Sequence, residues 1–260
     1  MPKISPLSNI GQDWISPEWP APRSVRACTT TTCGGVSEVP YESMNLATHV
    51  GDSAAAVREN RRCLMEYLEL PAQPLWLEQV HENYVVNAAG NCDGIPLADA
   101  SFSDHPGPVC AVLTADCLPL LLCDHAGTRV AAVHAGWRGL AAGVIEAAVA
   151  ALNIAPQELM AWMGPAIGPR SFEVGDEVRD IFLQHDSAAG DAFLPAARQA
   201  AHSRRWFADI YRLAKLRLSA SGVSHVYGGN FDTFSDTRFY SYRRSGVTGR
   251  MATLIWIDVN

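Results

Sequence analysis

The sequence predicts an α+β fold with mixed β-sheets and surrounding helices. Three observations carry this. Short apolar runs of strand length alternate irregularly with helical segments. Hairpin-length links occur beside crossover-length ones, which a strict βαβ repeat would not mix. No Pro/Gly/Ser-rich linker divides the 260 residues, so residues 24–260 read as one catalytic domain behind an irregular arm at 1–23, rich in Pro, Ser and Trp.

The elements follow in order. A first strand is expected near Ser24–Thr30, with Gly34-Gly35 as the turn after it. Asp52 and Ser53 precede a helix over Ala54–Leu70, in which Val57, Arg61, Leu64, Met65 and Leu68 keep helical spacing and Pro71 ends the run. Tyr84–Ala88, Val109–Thr114, Leu118–Cys123 and Arg129–His134 are strand-length runs bounded by turn residues. Leu140–Leu152, nearly all Ala, Val, Ile and Leu, reads as one helix packed on a sheet, and Met160–Met163 as a strand. Glu173–Gln184 and Phe207–Ala220 read as helices, the second closed by Gly222. Val223–Tyr227 and Thr253–Asp258 are the late strands.

Composition narrows the function. Hydrophobic residues make up 48% and charged residues 18%, a globular balance. A formal net charge of −7 offers no electrostatic reason to bind nucleic acid or an anionic membrane. A phosphate-bearing substrate would have to be met by local cations. No signal-like start or membrane-length apolar run is visible. Seven cysteines without a secreted-domain spacing read as reduced thiols of a cytoplasmic protein.

Three segments carry chemistry: Gln79-Val80-His81, Thr114-Ala115-Asp116-Cys117-Leu118-Pro119 and Val133-His134-Ala135-Gly136-Trp137-Arg138-Gly139. Each sets a metal-capable donor at a junction of strand and turn, where ligands converge. Two imidazoles and a thiolate suit Zn²⁺, and three protein donors leave the open position of a catalytic site. On residue chemistry alone other readings stand beside this one. Cys117 with His134 or His81 is also a thiol nucleophile with its base. A buried cysteine before a Leu-rich strand is also an ordinary core thiol.

The chain resembles the YfiH-like, or laccase-domain, family, whose members are also called polyphenol oxidase or peptidoglycan editing factor proteins. The resemblance runs in order through Gly34-Gly35-Val36-Ser37, Pro40-Tyr41, Asn45-Leu46, His49-Val50-Gly51-Asp52 and Asn60-Arg61. It continues through the three segments above, Gly164–Pro169, Ser241-Tyr242-Arg243-Arg244 and Thr248-Gly249-Arg250. It implies a mononuclear metal at His81, Cys117 and His134, with Zn²⁺ the expected ion and Cu²⁺ the alternative. It also implies phosphorolysis of adenosine, inosine and methylthioadenosine, with deamination of adenosine. Two further activities attach to the family: amide hydrolysis of a UDP-muramoyl precursor carrying a wrong amino acid, and copper-dependent polyphenol oxidation. A multicopper centre needs many His ligands, and only His81 and His134 of the eight lie in the strong motifs.

The remaining expectations are finer. Asp116 is a candidate acid/base or a hydrogen-bond partner for a metal-bound His. Asn45 and Arg61 join it as candidate catalytic residues. Arg138 and Arg243 are candidate substrate-binding forks, since guanidinium matches phosphate geometry. Trp137 is a candidate stacking platform. A small-molecule substrate is the expected partner, and a monomer or weak homodimer the expected state. Many relatives carry Cys within the stretch here reading Gly168–Glu173 and before the threonine of Phe231-Asp232-Thr233; any role tied to those cysteines is absent.

Overall fold

The computed structural model describes residues 14–90, 94–196 and 204–259. Its elements in the first half are β1 (Val25–Thr29), α1 (Ala54–Leu68), β2 (Pro74–Leu75), β3 (Val85–Asn87), β4 (Ala100–Ser103), β5 (Val109–Thr114), β6 (Leu118–Asp124) and β7 (Val130–Ala135). After β7 come α2 (Trp137–Ala142), α3 (Val144–Leu152), β8 (Leu159–Met163), β9 (Glu173–Gly175) and α4 (Asp176–His185). The last elements are β10 (Phe193–Pro195), β11 (Arg205–Ala208), α5 (Ile210–Ala220), β12 (His225–Gly228), α6 (Tyr242–Ser245) and β13 (Met251–Ile257).

The strands form a four-stranded sheet in the order β1-β13-β5-β2, a six-stranded sheet in the order β12-β8-β6-β7-β4-β3, and a small β10-β11-β9 sheet. The two larger sheets mix parallel and antiparallel pairs: β2–β5, β3–β4 and β8–β12 are parallel, and their other pairs antiparallel. The fold is therefore α+β with mixed sheets.

Side-chain alternation explains the layering. In β5, Val109, Ala111 and Leu113 share a cluster with Cys63 and Leu64 of α1, while Cys110 and Val112 pack with Leu121, Ala132 and Trp162 of the six-stranded sheet. In β6, Leu118, Leu120 and Leu122 pack with Ile145 of α3 and Leu213 of α5. The order is thus α1, four-stranded sheet, six-stranded sheet, helices. Both sheets are covered on both faces, so β5 and β6 are fully buried continuous apolar runs and show no polar alternation. Asp124 ends β6 by accepting from Thr128 N, Thr128 Oγ1 and Arg129 N, which shapes the turn into β7.

Several expected boundaries move. The helix read over Leu140–Leu152 is two helices, because Gly143 at φ 91° takes a left-handed conformation between them. The first residues of the helix read over Glu173–Gln184 form β9, and Phe207–Ala208 at the start of the next belong to β11. Asp209 then caps α5 by accepting from Arg212 N. Helix α1 stops at Leu68, since Glu69 is left-handed at φ 50°. Of the arm read over 1–23, residues 1–13 lie outside the described residues. Trp14 is buried, and Ile15 bridges Thr29 of β1. No helix of the described residues is long and apolar enough to cross a membrane.

Leu121 is fully buried between the two sheets. Leu121→Ala is expected to lower the unfolding free energy by about 2–5 kcal/mol, measured by urea denaturation; a loss below about 1 kcal/mol would contradict this packing.

Candidate metal centre

The site forms where the loops after β5 and β7 meet the turn at residues 79–82. Gln79 fastens that turn to β5: its Nε2 donates to Leu113 O at 2.9 Å and its Oε1 accepts from Leu113 N at 2.8 Å. Residue His81 follows with φ 64°, and Asp116, next to Cys117, has φ 89°. Two non-glycine residues in the left-handed region at one site are held there by their surroundings.

Asp99, fully buried, supplies much of that restraint. Its carboxylate accepts from Val80 N at 3.2 Å, His81 N at 2.9 Å and Glu82 N at 2.8 Å. The same Oδ1 lies 2.7 Å from His134 Nδ1. The carboxylate accepts that ring proton, so Nε2 of His134 is left as the donor atom. The chain also pairs here, His134 N donating to Asp99 O at 2.7 Å.

One donor atom from each of His81, Cys117 and His134 lies within 4.8 Å of the other two. Cys117 Sγ is 3.8 Å from His81 Nε2, and the two imidazole rings stand edge to face at 4.7 Å. Gly136 permits the approach. A Cβ there would sit 2.9 Å from His81 Cδ2 and 3.0 Å from Cys117 Sγ. Burial alone would raise the Cys117 thiol, but His134 and His81 reverse this and hold it at about 6. Burial alone would lower His134, but Cys117 and Asp99 hold it up. Without a metal the cluster thus favours a thiolate beside a protonated His134, and a bound metal would take the place of the Nε2 proton. Two borderline nitrogens, one soft sulfur and an oriented imidazole fit a bound transition metal.

The trio opens on a cavity of about 540 Å³. Trp137, Ile167, Phe172 and Ile210 give it apolar wall; His49, Arg138, Arg243 and Arg250 give it basic groups; Thr114 and Tyr242 add hydroxyls. A larger cleft of about 940 Å³ around Lys215 and Asp232 contains none of the three donors.

The other expected residues divide. Arg138 lines the cavity with its guanidinium 4.4 Å from the Trp137 ring centre. Arg243 lines it too, its Nη1 donating to Glu173 O. Asp116 lines it, but its carboxylate accepts from Thr233 Oγ1 at 2.6 Å and Arg243 N at 2.7 Å. It ties the β5–β6 turn to α6, and the hydrogen-bond partner of the site histidine is Asp99. Asn45 is fully buried and outside the lining; its Oδ1 accepts from Ala47 N and Arg250 N, and its Nδ2 donates to Ala47 O and Asp52. Arg61 donates through Nε and Nη2 to Leu46 O and stacks 4.0 Å over Trp76, also outside the lining. Asn45 reaches the cavity only through Arg250, which lines it.

Sequence reasoning missed Asp99, which sits among small apolar residues with no motif around it. His49 and Arg250 stood inside quoted motifs but received no role.

The family model described as multi-copper polyphenol oxidoreductase laccase matches residues 26–258. A Pseudomonas aeruginosa protein named purine nucleoside phosphorylase PA4543 is 57% identical over 246 residues, 94% of this chain and 98% of that protein. The Escherichia coli K12 protein named purine nucleoside phosphorylase YfiH is 50% identical over 244 residues, again 94% and 98% of the two chains. The crystal structure of Neisseria meningitidis protein NMB0706 is similar with a TM-score of 0.89 and 48% identity, covering 95% of this chain and 100% of that one.

Asp99→Asn keeps the size but removes the carboxylate that fixes His134. Metal affinity is expected to fall roughly 10–100-fold, read by competition with a chromogenic chelator; an unchanged affinity would remove Asp99 from this role.

Proposed function

This chain belongs to the YfiH-like family, the one described as multi-copper polyphenol oxidoreductase laccase, and on that premise we propose that it is a zinc-dependent purine nucleoside phosphorylase. Adenosine, inosine and methylthioadenosine are its substrates in this reading, with deamination of adenosine as a second activity. The observation that carries it is the composition of one cavity, in which a three-donor metal cluster, basic side chains and aromatic wall lie together. Phosphorolysis needs all three: cations for phosphate, a flat apolar surface for a purine, and a way to stabilise charge as the glycosidic bond breaks.

In phosphorolysis a phosphate oxygen forms a bond to C1′ of the ribose as the C1′–N9 bond breaks. The bonding pair leaves with the purine, which takes up a proton. In deamination, water replaces the 6-amino group and ammonia leaves. A zinc ion held by His81, Cys117 and His134 would supply a Lewis acid with an open fourth position. The chain's own residues do the rest. Arg138 and Arg243 at the mouth attract the phosphate dianion. Trp137 and Phe172 offer ring faces for the base. Asp116 holds α6, and with it Arg243, against the Cys117 turn.

Zinc is favoured over a copper oxidase centre for a structural reason. Several coppers need several ligand sets, whereas the described residues contain one cluster of three or more His, Cys, Asp or Glu donors.

Purified zinc-loaded protein is expected to convert inosine to hypoxanthine and ribose 1-phosphate only when phosphate is present, and Cys117→Ala to lose this turnover while keeping its melting transition. Release of the amino acid from a UDP-muramoyl aminoacyl substrate without any phosphorolysis would reverse the assignment, as would oxygen uptake with a phenol that tracks copper content.

A further inference from the structure

We propose that His49 and Arg250 form an oxyanion subsite on the α1 side of the cavity, and that His49 takes up a proton when the anion binds. The proposal deepens the phosphorylase reading and rests on it for the identity of the anion, which is phosphate there.

Both residues come off one layer of the fold. In β13, Ala252, Leu254 and Trp256 pack with Cys63 and Leu64 of α1, while Ile255 and Ile257 face the six-stranded sheet. Arg250, two residues before Ala252, continues the α1-facing alternation. Leu46 and Ala47 belong to the same α1-facing cluster, and Leu46 N donates to Arg250 O. His49 follows three residues after Leu46. From this shared side both His49 and Arg250 line the cavity.

Arg250 is held with half of its fork unused. Its Nη1 donates to Thr248 O and Gly249 O, and its backbone N donates to Asn45 Oδ1 at 3.0 Å. Among the described residues no carboxylate pairs with this guanidinium, and Nε and Nη2 donate to no protein acceptor. That edge matches two oxygens of one oxyanion. The His49 ring likewise has no protein hydrogen-bond partner among the described residues. It offers one N–H when neutral and two when protonated.

The charges around the pair are one-sided. Partial burial lowers the His49 pKa, and Arg250 and Arg61 of α1 lower it further. Burial lowers the pKa of Arg250 as well. Asp52, the carboxylate closest to His49 along the chain, is spent on Ser37 Oγ, Asn45 Nδ2 and Ser53 N. Cys117 and Asp116 attract the Arg250 charge, but one belongs to the metal cluster and the other is bonded to Thr233 and Arg243. An anion between His49 and Arg250 offsets this repulsion and raises His49 back toward its ordinary value. His49 then stays protonated to a higher pH in the complex than in the free protein. In that window binding consumes a proton, and affinity falls as pH rises through it.

Zinc-loaded wild type, His49→Gln, Arg250→Gln and Arg250→Lys are titrated by calorimetry with sulfate and then with phosphate. Sulfate stays a dianion across about pH 5 to 8, the range in which imidazole titrates. Wild type is expected to bind sulfate more weakly as pH rises, with proton uptake read from the dependence of the heat on the buffer's ionisation enthalpy. His49→Gln loses that proton uptake. Arg250→Gln weakens binding of both anions roughly tenfold or more, as loss of hydrogen bonds to a charged group does. Arg250→Lys, with the charge but not the fork, falls between the two. Unchanged anion affinity in Arg250→Gln, or proton uptake that His49→Gln retains in full, would overturn the subsite. Should both anions bind as expected while inosine and phosphate give no ribose 1-phosphate, the phosphorylase reading fails and the anion site stands.

Discussion

The carboxylate of Asp99 is the constraint on which the site depends. A buried carboxylate is several kcal/mol unfavourable unless its oxygens are filled. Here they are filled by three consecutive backbone N–H groups of the 80–82 turn and by the imidazole of His134. One side chain thereby fixes both the left-handed turn that carries His81 and the ring orientation of His134. Two of the three donor positions thus share a single anchor. The third, Cys117, is placed independently: Ile167 N donates to Asp116 O, and the Asp116 carboxylate is held by Thr233 and α6.

The layers explain why this convergence occurs at the end of two packed sheets. β5 and β7 bury both faces, so polar chemistry cannot sit along their middles. Along β7, Val130 and Ala132 face the space between the sheets, and His134 falls on the same alternation two residues later. Thr114 continues the alternation of Cys110 and Val112 in the same way. The polar residues are the last members of apolar stripes, placed where the intersheet core gives way to the cavity.

This geometry also separates what was legible in the sequence from what was not. The mixed α+β architecture and the long buried strands could be read, because β5, β6 and β7 are compact apolar runs with clear ends. Strands such as β9 and β11, of three and four residues, could not. They are too short to show a period and exist through pairing with each other and β10. The break at Gly143 was hidden because Leu140–Ala142 and Val144-Ile145 on either side make one continuous apolar run. Of the site, the three donors stood in recognisable segments, whereas Asp99 carries no local signal. Its role exists only in three dimensions, through contacts 17 to 35 residues away. Asn45 and Arg61 stood out in the sequence, and the structure places both outside the cavity lining, Asn45 bonded to Ala47, Asp52 and Arg250 and Arg61 to Leu46 O.

Such contacts give those motifs a common purpose. Asn60 donates to Ser37 Oγ, Ser43 O and Asn45 O, Asp52 accepts from Ser37 and Asn45, and Asn45 accepts from Arg250 N. The segments around residues 37, 45, 52 and 60 thus form one connected polar network that ends at a basic residue of the cavity. Such a network is stabilising only when its members are satisfied together. The consequence is an asymmetric cavity. One side is a rigid anionic anchor presenting metal donors, and the other a rigid amide network presenting a guanidinium. In the proposed phosphorolysis the two reactants, an oxyanion and a neutral flat base on a sugar, need two preorganised surfaces at fixed separation. Here the separation is set by β5 and β13, which pair directly from Val109–Thr114 to Met251–Trp256. Neither surface can drift relative to the other without breaking that central ladder.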